Sequence, residues 1–97
     1  MDRRKPEERV RLRLYGAVQG VGFRYFVRQT ARRHDIAGYV INRPDGAVEL
    51  EAGGDADALE RFRHTVEHGP PLARVERVET LEHTPEVLPL PFEVRRY

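Results

Sequence analysis

From residue 9 to residue 17, apolar and polar side chains alternate. Val10, Leu12 and Leu14 fall on one side; Arg9, Arg11, Arg13 and Tyr15 fall on the other. A period of two predicts a strand with one buried face. At residue 23 the period changes. Phe23, Phe26, Val27, Thr30, Ala31 and His34 recur at helical spacing and form one stripe, which predicts a helix over 23–34. Asp35 is expected to take the helix-ending position, where glycine is commoner but aspartate is tolerated.

The pattern then returns to strands. Residues 38–43 form one and residues 47–52 the next, joined by Pro44-Asp45-Gly46, where proline sets the first corner and glycine supplies a positive φ. In the return strand Val48, Leu50 and Ala52 point inward. Glu49 and Glu51 point outward and read as surface charges facing arginines across the sheet. Gly53-Gly54 is expected to break the strand. Asp55 is expected to cap a second helix over 56–67, whose stripe is Leu59, Phe62 and Val66. Gly69-Pro70-Pro71 stops it. Residues 73–81 form another strand; Val75 and Val78 break its alternation, so a bulge or an edge position is expected. Residues 82–91 read as a connection without regular structure, and 92–96 as a short closing strand with Phe92 and Val94 inward. The order is βαββαβ. It predicts an α+β, ferredoxin-like sandwich: a four-stranded antiparallel sheet with two helices on one face.

Composition narrows this picture. Ninety-seven residues, 39% of them hydrophobic, make one small domain. Residues 1–8 lack periodicity and are expected to form a flexible tail, leaving 9–97 as the domain. No apolar run approaches the ~18 residues of a membrane span, and the charged N-terminus does not resemble a secretory signal. With no cysteine, a disulfide framework, a thiolate metal site and a thiol nucleophile are excluded. A cytoplasmic protein is expected. The net charge of +1 is too mild to signal nucleic acid. The histidines, His34, His64, His68 and His83, do not fall at a metal-ligand spacing, so no metal and no cofactor are expected.

The candidate chemistry lies where the period changes. Gly16-Ala17-Val18-Gln19-Gly20-Val21-Gly22-Phe23-Arg24 leaves a strand and enters a helix. Such a loop presents backbone N–H groups at the positive end of the helix dipole. Gly20 and Gly22 permit backbone angles closed to other residues. Arg24 adds a planar fork of donors suited to phosphate oxygens. The string ends in neither Gly-Lys-Ser/Thr nor G-x-G-x-x-G, so it is not a P-loop or a dinucleotide fingerprint. Asn42 ends a strand just before Pro44, a position a turn-forming residue also takes for structural reasons alone.

These residues resemble the acylphosphatase family. The likeness is carried by the nine-residue string, by Gly38-Tyr39-Val40-Ile41-Asn42, by Asp45-Gly46-Ala47-Val48-Glu49, by Gly69-Pro70-Pro71, by Ala73-Arg74-Val75 and by the closing Phe92-Glu93-Val94-Arg95-Arg96-Tyr97. Tyr39 stands where the family commonly has tryptophan, and Asp35-Ile36 replaces a common Gly-Leu. The resemblance implies hydrolysis of acyl phosphates to a carboxylate and inorganic phosphate. By the same resemblance, Arg24 binds the phosphoryl group and Asn42 orients the attacking water. Backbone amides of Gln19, Gly20, Val21, Gly22 and Phe23 hold the phosphate oxygens. The expected partner is then a small acyl phosphate, with inorganic phosphate as product and competitor. No nucleic acid or membrane is expected, and the chain is expected to be a monomer. The carboxylate of Tyr97 is a candidate to steady Arg24.

Two other readings accompany this one. A non-catalytic ferredoxin-like module for RNA or a phosphate ligand shares the element order, but the return strand lacks the RNP1 aromatics and carries two outward glutamates. The acylphosphatase-like segment of larger hydrogenase-maturation proteins continues into cysteine-rich zinc regions, which this sequence lacks.

Overall fold

The computed structural model describes residues 7–96. Its elements run β1 (Glu7–Ala17), α1 (Phe23–Arg33), β2 (Ala37–Asn42), β3 (Val48–Asp55), α2 (Ala56–His68), β4 (Arg74–Leu81) and β5 (Glu93–Arg95). The sheet order is β4-β1-β3-β2-β5. β1 pairs antiparallel with β3 and β4, and β2 antiparallel with β3. Both helices cover one face. Val10, Leu12 and Leu14 of β1 and Val48, Leu50 and Ala52 of β3 meet Phe23, Val27 and Ala31 of α1 and Leu59, Phe62 and Val66 of α2 in one buried cluster. The two stripes and the alternating strands therefore meet as their periods require.

The expected sheet of four antiparallel strands is corrected at its edge. β5 joins as a fifth strand and runs parallel to β2, with Val94 opposite Val40. The chain reaches this edge from the far side of the sheet, so it enters in β2's own direction. Phe92, just before β5, is fully buried and its ring lies 6.0 Å from that of Phe62. Arg32 of α1 donates to the Phe92 carbonyl at 3.1 Å. Val94, expected inward, is instead 37% exposed and lines a surface cleft.

Several boundaries differ from expectation for local reasons. β1 begins at Glu7, so Glu7 and Glu8, expected in the tail, pair instead with Asp55 and Gly54. The rest of the expected tail, 1–6, lies outside the described residues, as does Tyr97. Gly53 and Gly54 continue β3 instead of breaking it. A Cβ on Gly53 would meet Leu88 Cδ1 at 3.0 Å, and one on Gly54 would meet Ile36 Cδ1 at 3.0 Å, so these glycines admit close neighbours. Asp55 occupies the N-cap of α2, but its side chain makes no capping hydrogen bond. Asp35 carries a positive φ, 54°. The expected irregularity near β4 is present as a shift of register between Tyr15 and Gly16. A Cβ on Gly16 would sit 2.1 Å from the Arg74 carbonyl oxygen, so only glycine allows that approach.

The face away from the helices departs most from expectation. Glu49 and Glu51 do meet arginines, but they are not surface charges: they are 5% and 0% exposed. Glu49 binds Arg11 at 3.0 Å, Arg13 at 2.9 Å and Arg43 at 3.3 Å. Glu51 binds Arg9 at 2.7 Å. The connection 82–91 crosses this face, and Thr84 donates to Glu51 from its backbone N–H at 3.0 Å and its hydroxyl at 2.6 Å. Tyr39 donates to the same carboxylate at 3.2 Å. Hydrogen-bonded pairing is what makes buried carboxylates tolerable here. The same charges and the crossing segment occupy the face on which an RNA-recognition domain would present aromatics.

Candidate active site

The loop between β1 and α1 is built on two left-handed glycines. Gly20 has φ 76° and Gly22 φ 77°. A Cβ at either position would meet nothing within 4 Å, so glycine is required there by backbone angle and not by space. Gly22 is the N-cap of α1, and its carbonyl accepts the Phe26 N–H at 3.0 Å. Among the described residues, no backbone carbonyl accepts the N–H groups of Gln19, Gly20, Val21 or Gly22. They lie beside the first turn of α1, whose own N–H groups lack intrahelical partners. That turn holds no acidic residue to neutralise these donors. Val18 and Phe23, both buried, pin the loop to the core at its two ends.

Gln19 has a part beyond its backbone N–H. Its side-chain amide donates to the carbonyls of Arg43 (2.8 Å) and Ala47 (2.9 Å). Those two residues close the β2–β3 turn: Arg43 N–H donates to Ala47 at 2.8 Å and Gly46 N–H to Arg43 at 3.1 Å. Asp45 accepts the Ala47 N–H at 3.0 Å, which holds its carboxyl below the ordinary range, helped by Arg43. One amide side chain thus ties the loop to the turn that comes after Asn42.

The two elements meet in a cleft of about 310 Å³. Its lining contains Gly20, Gly22, Phe23 and Arg24 from the loop and first helical turn, and Asn42 from the end of β2. Arg24 and Asn42 are each partly exposed. The Asn42 side-chain oxygen Oδ1 is buried and has no hydrogen-bond partner among the described residues. Three further lining residues, Tyr25, Arg28 and Val94, carry no such signal in the sequence. Tyr25 and Arg28 lie off the apolar stripe of α1, and the alternation of the closing strand places Val94 in the core. A larger groove, about 900 Å³, runs between the start of β1 and residues 83–90, but Glu7, Glu8, Asp35 and Glu86 line it and disfavour an anion. Among the described residues no group of three histidines or carboxylates is placed to hold a metal ion. No helix among them is long and apolar enough to cross a membrane.

Fold and cleft together define a class: a ferredoxin-like sandwich whose first helix opens on a glycine-bearing loop, with an arginine and an amide oxygen that has no partner among the described residues in the same cleft. Comparison with known proteins gives the particular family. A profile of the family "Acylphosphatase" matches residues 10–92. An acylphosphatase of Thermotoga petrophila is 49% identical over 77 residues, covering 79% of this chain and 86% of its own. One of Salinibacter ruber is 55% identical over 73 residues, covering 75% and 77%. The crystal structure of acylphosphatase from Bacillus subtilis superposes with a TM-score of 0.81 at 38% identity, covering 90% and 97%. The chain belongs to the acylphosphatase family. It is a hydrolase of acyl phosphates.

Proposed function

We propose that hydrolysis takes place in the cleft between the Gln19–Phe23 loop and the end of β2, by direct attack of water on phosphorus. The observation that carries this reading is that Gly20, Gly22, Phe23 and Arg24 of the loop and first helical turn line one small cavity with Asn42, whose buried Oδ1 has no hydrogen-bond partner among the described residues. The amides of Gln19, Gly20, Val21, Gly22 and Phe23, with the Arg24 fork, hold the phosphoryl oxygens and meet the charge that builds on them in the transition state. Asn42 accepts a hydrogen bond from a water and fixes its line of approach.

Nothing stronger is required of the protein. Phosphoryl transfer of this kind is largely dissociative, so positioning and charge stabilisation dominate. The leaving group is a carboxylate, whose conjugate acid has a pKa of about 4 by analogy with side-chain carboxyls. It departs as an anion without a general acid. The P–O bond to the acyl group breaks as the bond from water forms, and the water proton passes to a phosphoryl oxygen. Asn42 is far too weak a base to take it. The products are the carboxylate and inorganic phosphate, and the latter competes for the same donors. No cofactor enters this scheme, and one chain contains all of its groups, in keeping with a monomer acting on a small substrate in the cytoplasm.

The test is an assay of the chelator-treated protein with benzoyl phosphate beside p-nitrophenyl phosphate. The expected outcome is hydrolysis of the mixed anhydride, undisturbed by EDTA, with little turnover of the ester and competitive inhibition by inorganic phosphate. Equal turnover of both substrates, or loss of activity on chelation, would overturn the mechanism.

Gln19 is a positioning residue in this account. Gln19→Leu keeps the side chain's size but removes both hydrogen bonds to the β2–β3 turn. Small misplacements of reacting groups cost up to ~10²-fold, so a fall in kcat of roughly tenfold is expected. The change in KM should be smaller, because the amides and Arg24 remain. Steady-state kinetics read the split. A loss confined to thermal stability would leave Gln19 with a structural role only.

A further inference from the structure

We propose that Arg28 makes the cleft selective for acyl phosphates whose acyl part carries a second anionic group, a carboxylate above all. This rests on the reading of the cleft as the site of acyl phosphate hydrolysis and adds to it a role for the acyl end of the substrate.

Arg28 lies four residues after Arg24 on α1, so the two side chains are neighbours on one helix face, with Cβ atoms about 5–6 Å apart. Both line the cleft. Arg24 sits in the turn that the loop enters; Arg28 sits one turn further from the loop. Arg28 therefore lies past the phosphoryl end, where an acyl group continues along the cleft. The lining residues that accompany it are Tyr25, 58% exposed, and Val94, 37% exposed. An exposed ring and an exposed aliphatic group offer contact for the carbon skeleton of an acyl chain.

Among the described residues no carboxylate pairs with Arg28. Its Nε is buried and has no hydrogen-bond partner among the described residues. Its guanidinium carbon lies 5.0 Å from the centroid of the Tyr25 ring. Arg9, Arg11, Arg13, Arg43, Arg63 and Arg95 each have a carboxylate within 4.0 Å, whereas no described carboxylate comes that close to Arg28. Among the described residues no Asp or Glu lines the cleft. Two guanidinium groups, set side by side along one cavity with no carboxylate among the described residues paired to either, leave room there for two anionic groups. A phosphoryl group takes the first. A carboxylate on the acyl part has the planar geometry to take the second, through the arginine fork.

The experiment compares 3-carboxybenzoyl phosphate with its neutral isostere, 3-carbamoylbenzoyl phosphate. The two have similar size and similar leaving groups, so the ratio of their kcat/KM values isolates the charge. The parent protein is expected to favour the carboxylate about tenfold, a modest return for one charge-assisted contact. Arg28→Gln is expected to bring the ratio to about one, and Arg28→Glu to invert it. Because each ratio is measured within one variant, a partial loss of folded protein cancels. A parent ratio near one, or a ratio that survives both substitutions, overturns the proposal. So does an equal loss on both substrates in Arg28→Gln, which would place the guanidinium on the phosphoryl group. Failure of the parent to hydrolyse either compound overturns the hydrolytic reading itself. Hydrolysis of both without discrimination overturns only the role given to Arg28.

Discussion

Arg24→Gln is expected to lower kcat/KM for benzoyl phosphate by about 10²–10³-fold, the loss seen on removal of one preorganised donor from an oxyanion site. The side chain is partly exposed and lies at the cleft, away from the buried cluster, so the thermal midpoint should move little. Arg24→Lys keeps the charge but not the planar fork, and should recover only a minor part of the loss. Asn42→Ala provides the contrast. It removes the group that aims water but leaves the amides and Arg24, so kcat should fall by roughly 10² while inhibition by inorganic phosphate stays near the parent value. Arg24→Gln should weaken that inhibition as well. Folded variants of both residues that turn over benzoyl phosphate at the parent rate would remove these two residues from the mechanism.

Glu51→Ala is expected to cost about 3 kcal/mol of stability, the lower end of the loss incurred when one member of a buried ion pair is left alone. In a domain of this size that corresponds to a fall in the melting midpoint of more than about 10 °C. The carboxylate is fully buried and is shared by Arg9, Tyr39 and Thr84, so its removal strands several donors at once. It also releases the segment 82–91, which leads on to Phe92 and β5. Glu51→Gln keeps the volume and some hydrogen bonds and should lose less.

The same group sets a pH dependence. Burial by itself would raise the Glu51 pKa, but hydrogen bonds from Thr84 and Arg9, with the charge of Arg9, outweigh it and hold the pKa below the ordinary carboxylate value. A depressed carboxylate stabilises the fold at pH values above its unfolded pKa, and that contribution is lost as the pH falls through the folded one. Denaturant midpoints should therefore drop below about pH 4 in the parent and less steeply in Glu51→Gln. At the alkaline end, burial and then the charge of Glu51 push the Tyr39 hydroxyl up to about 12. Its unfolded counterpart ionises near pH 10, so stability should decline between about pH 10 and about 12. An acid limb identical in parent and Glu51→Gln would assign the titration to other carboxylates.

The loop shows how far local chemistry carries. Gly20 and Gly22 declare a tight strand-to-helix junction by residue type and spacing, and the positive φ angles of both glycines agree with it. The helix stripes are equally legible, because each residue on them faces the core by virtue of its own period. Gln19 marks the limit. Its place in the loop suggests a use for its backbone N–H, but its side chain reaches Arg43 and Ala47, residues more than twenty positions away, and no local pattern encodes that reach.

Local pattern was thus sufficient for the periods of the elements, their order, the glycine loop and the turn at Pro44-Asp45-Gly46. These depend on steric limits and on polarity at neighbouring positions, and need no knowledge of what lies opposite. The packed chain settled the rest: what covers the second face of the sheet, where β5 pairs, and which side chains complete the cleft. A period of two separates Glu49 and Glu51 from Leu50 but does not say whether their side meets water or protein. That was settled by residues 82–91, a segment without periodicity that lies across the sheet, where Thr84 donates to Glu51. The same return of the chain carries Val94 to the mouth of the cleft beside Arg28, an encounter set by the path of the chain and by no pattern within either segment.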